Sequence, residues 1–165
     1  TSNSADEELH GHYTDLLSKA DAILYGRTTY QLMQYWQNLY EHPGDDKSAN
    51  DFASVINRLE KIVFSHTLKE TGWDSAILSD LPLAQKVMQL KQQPGNDILI
   101  GSRSLIIQLL NTHLIDEFQL CIHPIIYGKG LMLFDKIEEK QFFKLLKTKQ
   151  LRSGAIVMYY QCAPQ

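Results

Sequence analysis

The chain has 165 residues, 44% of them hydrophobic, and a formal net charge of −3. That is enough for one domain over 1–165 with a substantial core, and short for two. Acids and bases are mixed with no basic block, which argues against nucleic acid as a partner, and no run is apolar enough to span a bilayer.

No signal-peptide pattern opens the chain, and the two cysteines, Cys121 and Cys162, sit in apolar strand-like segments. Buried free thiols in a reducing, cytoplasmic setting are therefore expected rather than a disulfide framework. The six histidines are scattered without ligand spacing, so no metal site is expected.

In chain order, "ADEELHGHYTDLLSKA" places Leu9, Tyr13, Leu16 and Leu17 at helical spacing, with Asp6, Glu7 and Glu8 read as acids of a helix start. "DAILY" is a short buried strand, and "TTYQLMQYWQNLY" a helix with Tyr30, Met33 and Trp36 on one side. "HPGDDKSAN" is loop. "DFASVINRLE" is a helix, "KIVFS" and "AILS" are strands, and "LPLAQKVMQLKQQ" is a helix stopped at Pro94-Gly95. "DILIG" is a strand and "SLIIQLLNTHL" a helix. In "DEFQLCIHPIIYG", Phe118, Leu120 and Ile122 face one way and Gln119, Cys121 and His123 the other. The last strands meet at Ser153-Gly154 in a hairpin, and its "AIVMYYQC" strand is apolar enough to be covered on both faces. The order predicts an α/β fold with a mostly parallel central sheet, helices on both faces and a C-terminal antiparallel hairpin.

Ligands of such sheets sit beyond the carboxyl ends of the strands. Three strand ends carry unusual residues: Gly26-Arg27-Thr28-Thr29, Ser65-His66-Thr67 and Gly101-Ser102-Arg103-Ser104. Each alone reads better as an ordinary turn, with Thr28, Thr29 and Ser102 as helix caps. Together they offer backbone N–H groups, hydroxyls and positive charge, which suit a phosphorylated ligand such as a dinucleotide. The three-glycine Rossmann fingerprint is absent.

The stretches "ADAILYGRTTYQLM", "IVFSHTL", "DILIGSRSLIIQLL" and "LIDEFQLCIHPIIYGKGLMLF" resemble the dihydrofolate-reductase-like family that includes the reductase domain of the bifunctional riboflavin-pathway deaminase-reductase. The likeness runs from about Asp6 to Cys162. It implies the three-layer dihydrofolate-reductase-like fold, NADPH as cofactor, and reduction of a small pyrimidine or pterin-like ring, as by the aminouracil reductase of riboflavin biosynthesis. It also implies that Gly26, Arg27, Thr28 and Ser65 hold the adenosine phosphates; Thr29, His66, Arg103 and Ser104 join them as cofactor-side candidates from the strand ends themselves. Gly101 and Ser102 stand where the family has a glycine pair against the pyrophosphate; Ser102 departs from it.

Two further departures concern the start of the chain. Family members usually open with a central strand, and residues before Thr1 are expected to supply it, because a missing middle strand would leave two rows of backbone groups unpaired. Folate reductases carry a carboxylate on the first helix, and spacing puts His10 nearest that place. A non-catalytic scaffold that binds a small ligand or drug is therefore the alternative reading.

Cys121 and His123 are candidate substrate-side residues, with a structural histidine an equal reading. Gly128-Lys129-Gly130 reads as a turn and Asp116-Glu117 as a solvated strand start. Relatives pair through their sheets and late strands, which implies a homodimer.

Overall fold

The computed structural model describes residues 2–163. The expected order of elements is present. α1 (Ser2–Ser18) precedes β1 (Ala20–Gly26), followed by α2 (Arg27–Glu41), α3 (Lys47–Arg58), β2 (Glu60–Phe64) and β3 (Ala76–Leu78). Then come α4 (Leu83–Lys91), β4 (Asp97–Ile100), α5 (Arg103–Asn111), β5 (Glu117–Ile122), β6 (Phe143–Gln150) and β7 (Ile156–Cys162). The loop reading of "HPGDDKSAN" holds to Asp46; α3 begins at Lys47 because the Asp46 carboxylate accepts from Ser48 N and Ala49 N at 2.9 and 3.2 Å.

The parallel and antiparallel parts form two sheets. One is parallel, in the order β3-β2-β1-β4. The other is antiparallel, in the order β5-β7-β6. β1 explains the sandwich around the first: its run Ala22–Tyr25 is buried throughout, as a strand covered on both faces must be. Ile23 and Tyr25 pack with Leu17, Tyr30, Phe52 and Ile56 of α1, α2 and α3. Ala22 and Leu24 pack with Val87, Leu105 and Leu109 of α4 and α5. Lys61 of β2 is fully buried, its Nζ donating to Leu59 O and Ser75 Oγ, both at 2.7 Å, and lying 4.0 Å from the centre of the Trp73 ring.

α1 ties the two sheets together. Its Glu8 carboxylate accepts from the Arg152 backbone N–H at the β6–β7 turn at 2.6 Å, and His12 Nδ1 lies 3.3 Å from Lys149 Nζ of β6. The acids do not lie in the first turn as expected, because α1 begins at Ser2; the side chain of Asp6 lies outside the described residues. β1 is paired along both edges, whereas β4 pairs only with β1, and β5 only with β7, among the described residues. The expectation about residues before Thr1 lies outside the described residues.

Candidate active site

Parallel register brings three strand ends to one edge of the first sheet. Gly26 at the end of β1 pairs with Phe64 at the end of β2, and Leu24 pairs with Ile100 at the end of β4. The turns that follow touch one another. Gly26 N donates to Ser102 Oγ at 2.8 Å. Arg27 donates from Nη1 to Thr67 Oγ1 at 2.9 Å. Ser65 Oγ accepts from Thr67 N and Leu68 N at 3.1 and 3.0 Å, closing the turn after β2. A Cβ at Gly26 would stand 3.5 Å from Ser104 Oγ. Gly26, Arg27, Ser65, Ser102 and Ser104 thus share one locality, with Thr67 as the residue that links the first turn to the second.

Two helices start at this edge, α2 directly after Gly26 and α5 directly after Ser102. Their first-turn N–H groups have no intrahelical acceptor, and each helix end carries partial positive charge. Arg27 is exposed with one guanidinium donor engaged by Thr67, leaving the others for a ligand. Gly101 has a packing reason: a Cβ there would overlap the Tyr25 ring. Burial holds the Tyr25 phenol well above its usual pKa, so it stays neutral beneath the turn.

Several expectations are corrected. Ser102 occupies the N-cap position of α5 but does not cap it; buried at 1% exposure, it aims its hydroxyl at β1 and accepts from Gly26. Thr28 and Thr29 lie inside α2, whose N-cap is Gly26 without a side-chain cap. Arg103 turns away from the cluster. Its Nη1 donates to Met132 O at 2.8 Å and Asp135 Oδ1 at 2.7 Å, and this bond holds the Asp135 carboxyl below the usual carboxylate range. His66 stands exposed at the tip of the second turn.

Beside the cluster, a slot of about 750 Å³ runs between β4 and β5, walled by α1 on one side and α4 and α5 on the other. Gly101 belongs to both slot and cluster. From β5, Cys121 lines the slot; its thiol is pushed up by burial, and its Sγ lies 3.6 Å from His123 Nε2. His123 itself is exposed and stands outside the slot lining.

His10 is not at the slot. It packs against Trp36 and Phe52, with Nδ1 3.3 Å from Ser48 Oγ. The slot receives His12 and Tyr13 instead. Residues two apart on a helix point in different directions, and only the seating of α1 against both sheets selects between them. His12 is buried, and burial lowers its pKa first, followed by the charge of Lys149. The Lys149 ammonium can only donate, so Nδ1 accepts and Nε2 carries the proton. That Nε2–H has no partner among the described residues. Asp116 pairs with Lys91 at 2.7 Å, in line with a solvated strand start, and Gly128 takes φ +75° in an exposed turn.

A model of the RibD C-terminal domain matches residues 1–157. The Bacillus subtilis protein YyaP is 34% identical over 149 residues, spanning 90% of this chain and 77% of YyaP. YwjB of the same organism is 24% identical over the same shares of both chains. Among solved structures, a putative riboflavin biosynthesis protein from Shewanella sp. PV-4 superposes with a TM-score of 0.71 at 20% identity, covering 92% of this chain and 79% of that one. A pyrimidine reductase-like protein from Corynebacterium diphtheriae superposes at 0.57 and 20% identity, covering 90% and 79%. At these identities the solved structures establish the shared α/β fold.

Proposed function

The chain belongs to the RibD C-terminal domain family, a reductase-like family, and on that premise we propose that it is an NADPH-dependent reductase of a small pyrimidine or pterin-like ring. The observation that carries this reading is the convergence of three parallel strand ends into one cluster, with two helix N-termini and an exposed arginine, beside a slot of ligand size.

The residues fit the cofactor. Gly26, where a Cβ would stand 3.5 Å from Ser104 Oγ, keeps the backbone bare beside the serine hydroxyls, where a diphosphate needs close approach. Arg27, with Ser65 and Thr67 beside it, meets a phosphate on the adenosine side through charge-assisted hydrogen bonds. The first-turn N–H groups of α2 and α5 take the remaining anionic oxygens. When bound, NADPH supplies the hydride. The chain's part is orientation and exclusion of water: the apolar walls from Ile98 and Leu99 to Phe118 shelter a flat ring, with Cys121 on one side and the neutral His12 and Tyr13 on the other.

The test is direct. Incubated with NADPH, the protein is expected to oxidise it only when a suitable pyrimidine or pterin is added. Fluorescence titration is expected to give tighter binding for NADPH than for NADH. Saturable ligand binding with no oxidation across both ring classes would replace this reading with that of a binding scaffold.

A further inference from the structure

One face of α2 is fastened to the segment that follows the Ser65 turn. Arg27, Tyr30, Gln34 and Gln37 recur at helical spacing along that face. Arg27 Nη1 donates to Thr67 Oγ1 at 2.9 Å, Tyr30 Oη to Thr71 O at 2.6 Å and Gln37 Nε2 to Gly72 O at 3.2 Å. Gln34 Nε2 lies 3.5 Å from Thr71 O. The segment is held from its other side as well. Leu68 packs against the core cluster that contains Tyr30 and Phe52. Trp73 is buried, and its Nε1 donates to Asn57 Oδ1 at 2.8 Å. Ser65 Oγ accepts from the backbone N–H groups of Thr67 and Leu68. Thr67 is thus an exposed side chain on a backbone pinned along both sides.

We propose that Thr67 is a positioning residue that sets the preference for NADPH over NADH, by holding the Arg27 guanidinium where a 2′-phosphate meets it. The inference rests on the reductase reading above. A guanidinium can only donate, so the Thr67 hydroxyl accepts. Among the described residues only Nη1 is engaged. The Nε–H and Nη2–H edge is left open, and that edge can grip two phosphate oxygens at once. Arg27 takes part in no ion pair among the described residues. The neutral hydroxyl therefore holds the guanidinium without offsetting its charge, as a carboxylate in that place would do. An untethered arginine gives up rotamer freedom when it binds a phosphate, and affinity falls accordingly; one already tethered has given up part of that freedom in advance. NADH carries no 2′-phosphate, so the tether does nothing for it.

Fluorescence titration with NADPH and NADH tests this on the wild type and on Thr67→Val, which removes the acceptor but keeps the backbone bond to Ser65. Thr67→Val is expected to weaken NADPH binding by roughly three- to tenfold and to leave NADH within about twofold. Thr67→Ser keeps the hydroxyl and is expected to bind both nucleotides as the wild type does. In an Arg27→Ala background, Thr67→Val is expected to have no further effect on NADPH, because nothing remains to be held; a merely structural role would weaken binding in either background. Equal losses for the two nucleotides overturn the proposal. So does an undiminished NADPH preference in Thr67→Val, or a full further loss on top of Arg27→Ala. Those outcomes leave the reductase reading standing when the wild type prefers NADPH; a wild type without that preference overturns both. Should circular dichroism show Thr67→Val unfolded, Thr67→Ala decides by the same comparisons.

Discussion

Replacing Arg27 by alanine removes the one side chain of the cluster that is both exposed and positively charged while leaving the strand-end geometry in place. Gly26 stays tied to Ser102, and the Ser65 turn keeps its two backbone bonds, because neither depends on the guanidinium. A hydrogen bond to a charged group is worth about 1.5–3 kcal/mol. Arg27 is exposed and its contact with a phosphate would be screened, so about 1–2 kcal/mol is the appropriate share. At about 1.4 kcal/mol per tenfold, NADPH affinity is expected to fall by roughly 5- to 30-fold. NADH, which lacks the 2′-phosphate, is expected to change by less than about twofold. The assay is fluorescence titration of both nucleotides against wild type and Arg27→Ala at low and high salt. The NADPH preference of the wild type is expected to shrink with added salt, and that of the variant to change little. Equal losses for the two nucleotides, or no loss for either, would remove Arg27 from a 2′-phosphate site.

Three further outcomes are expected. Ser102→Ala leaves the half-buried Gly26 N–H without its acceptor and should lower unfolding free energy by about 0.5–1.5 kcal/mol, read from urea denaturation; an unchanged midpoint would show that the bond contributes nothing. Gly101→Ala forces a Cβ into the Tyr25 ring and should cost about 1–3 kcal/mol as overpacking, with weakened nucleotide binding; wild-type stability and affinity together would refute the close approach. Burial lowers the Lys61 amine from 10.5 to about 7. Between those values the unfolded chain binds the proton and the folded chain does not, so stability should rise with pH from about 7 and be level below it. Cys121 and Cys162, both pushed up by burial, oppose the rise once thiols ionise near about 8.5. Urea midpoints at pH 7 and pH 8 should therefore differ in wild type and converge in Lys61→Met, and a flat wild-type profile would place the amine's pKa elsewhere.

What was legible in the sequence was what short-range chemistry dictates. The alternation in "DAILY" sends Ile23 and Tyr25 to one helical layer and Ala22 and Leu24 to the other, because successive strand side chains must point to opposite faces. The order of helices and strands follows from the same periodicities, and the three strand ends are visible because glycine, arginine and hydroxyl residues interrupt apolar runs. Their convergence could be anticipated, since parallel strands share an edge.

The rest depended on partners distant in the chain. Ser102 accepts from Gly26 rather than capping α5, and Arg103 binds Asp135 rather than facing the cluster; both choices are set by groups 76 and 32 positions away. His12 reaches the slot and His10 does not, because α1 is seated against two sheets at once. The tie between Arg27 and Thr67 is of the same kind, made across 40 positions. A side chain's identity limits what it can bond to and which environment it tolerates; long-range pairing brings the partner and the cover, and these decide between the environments that remain.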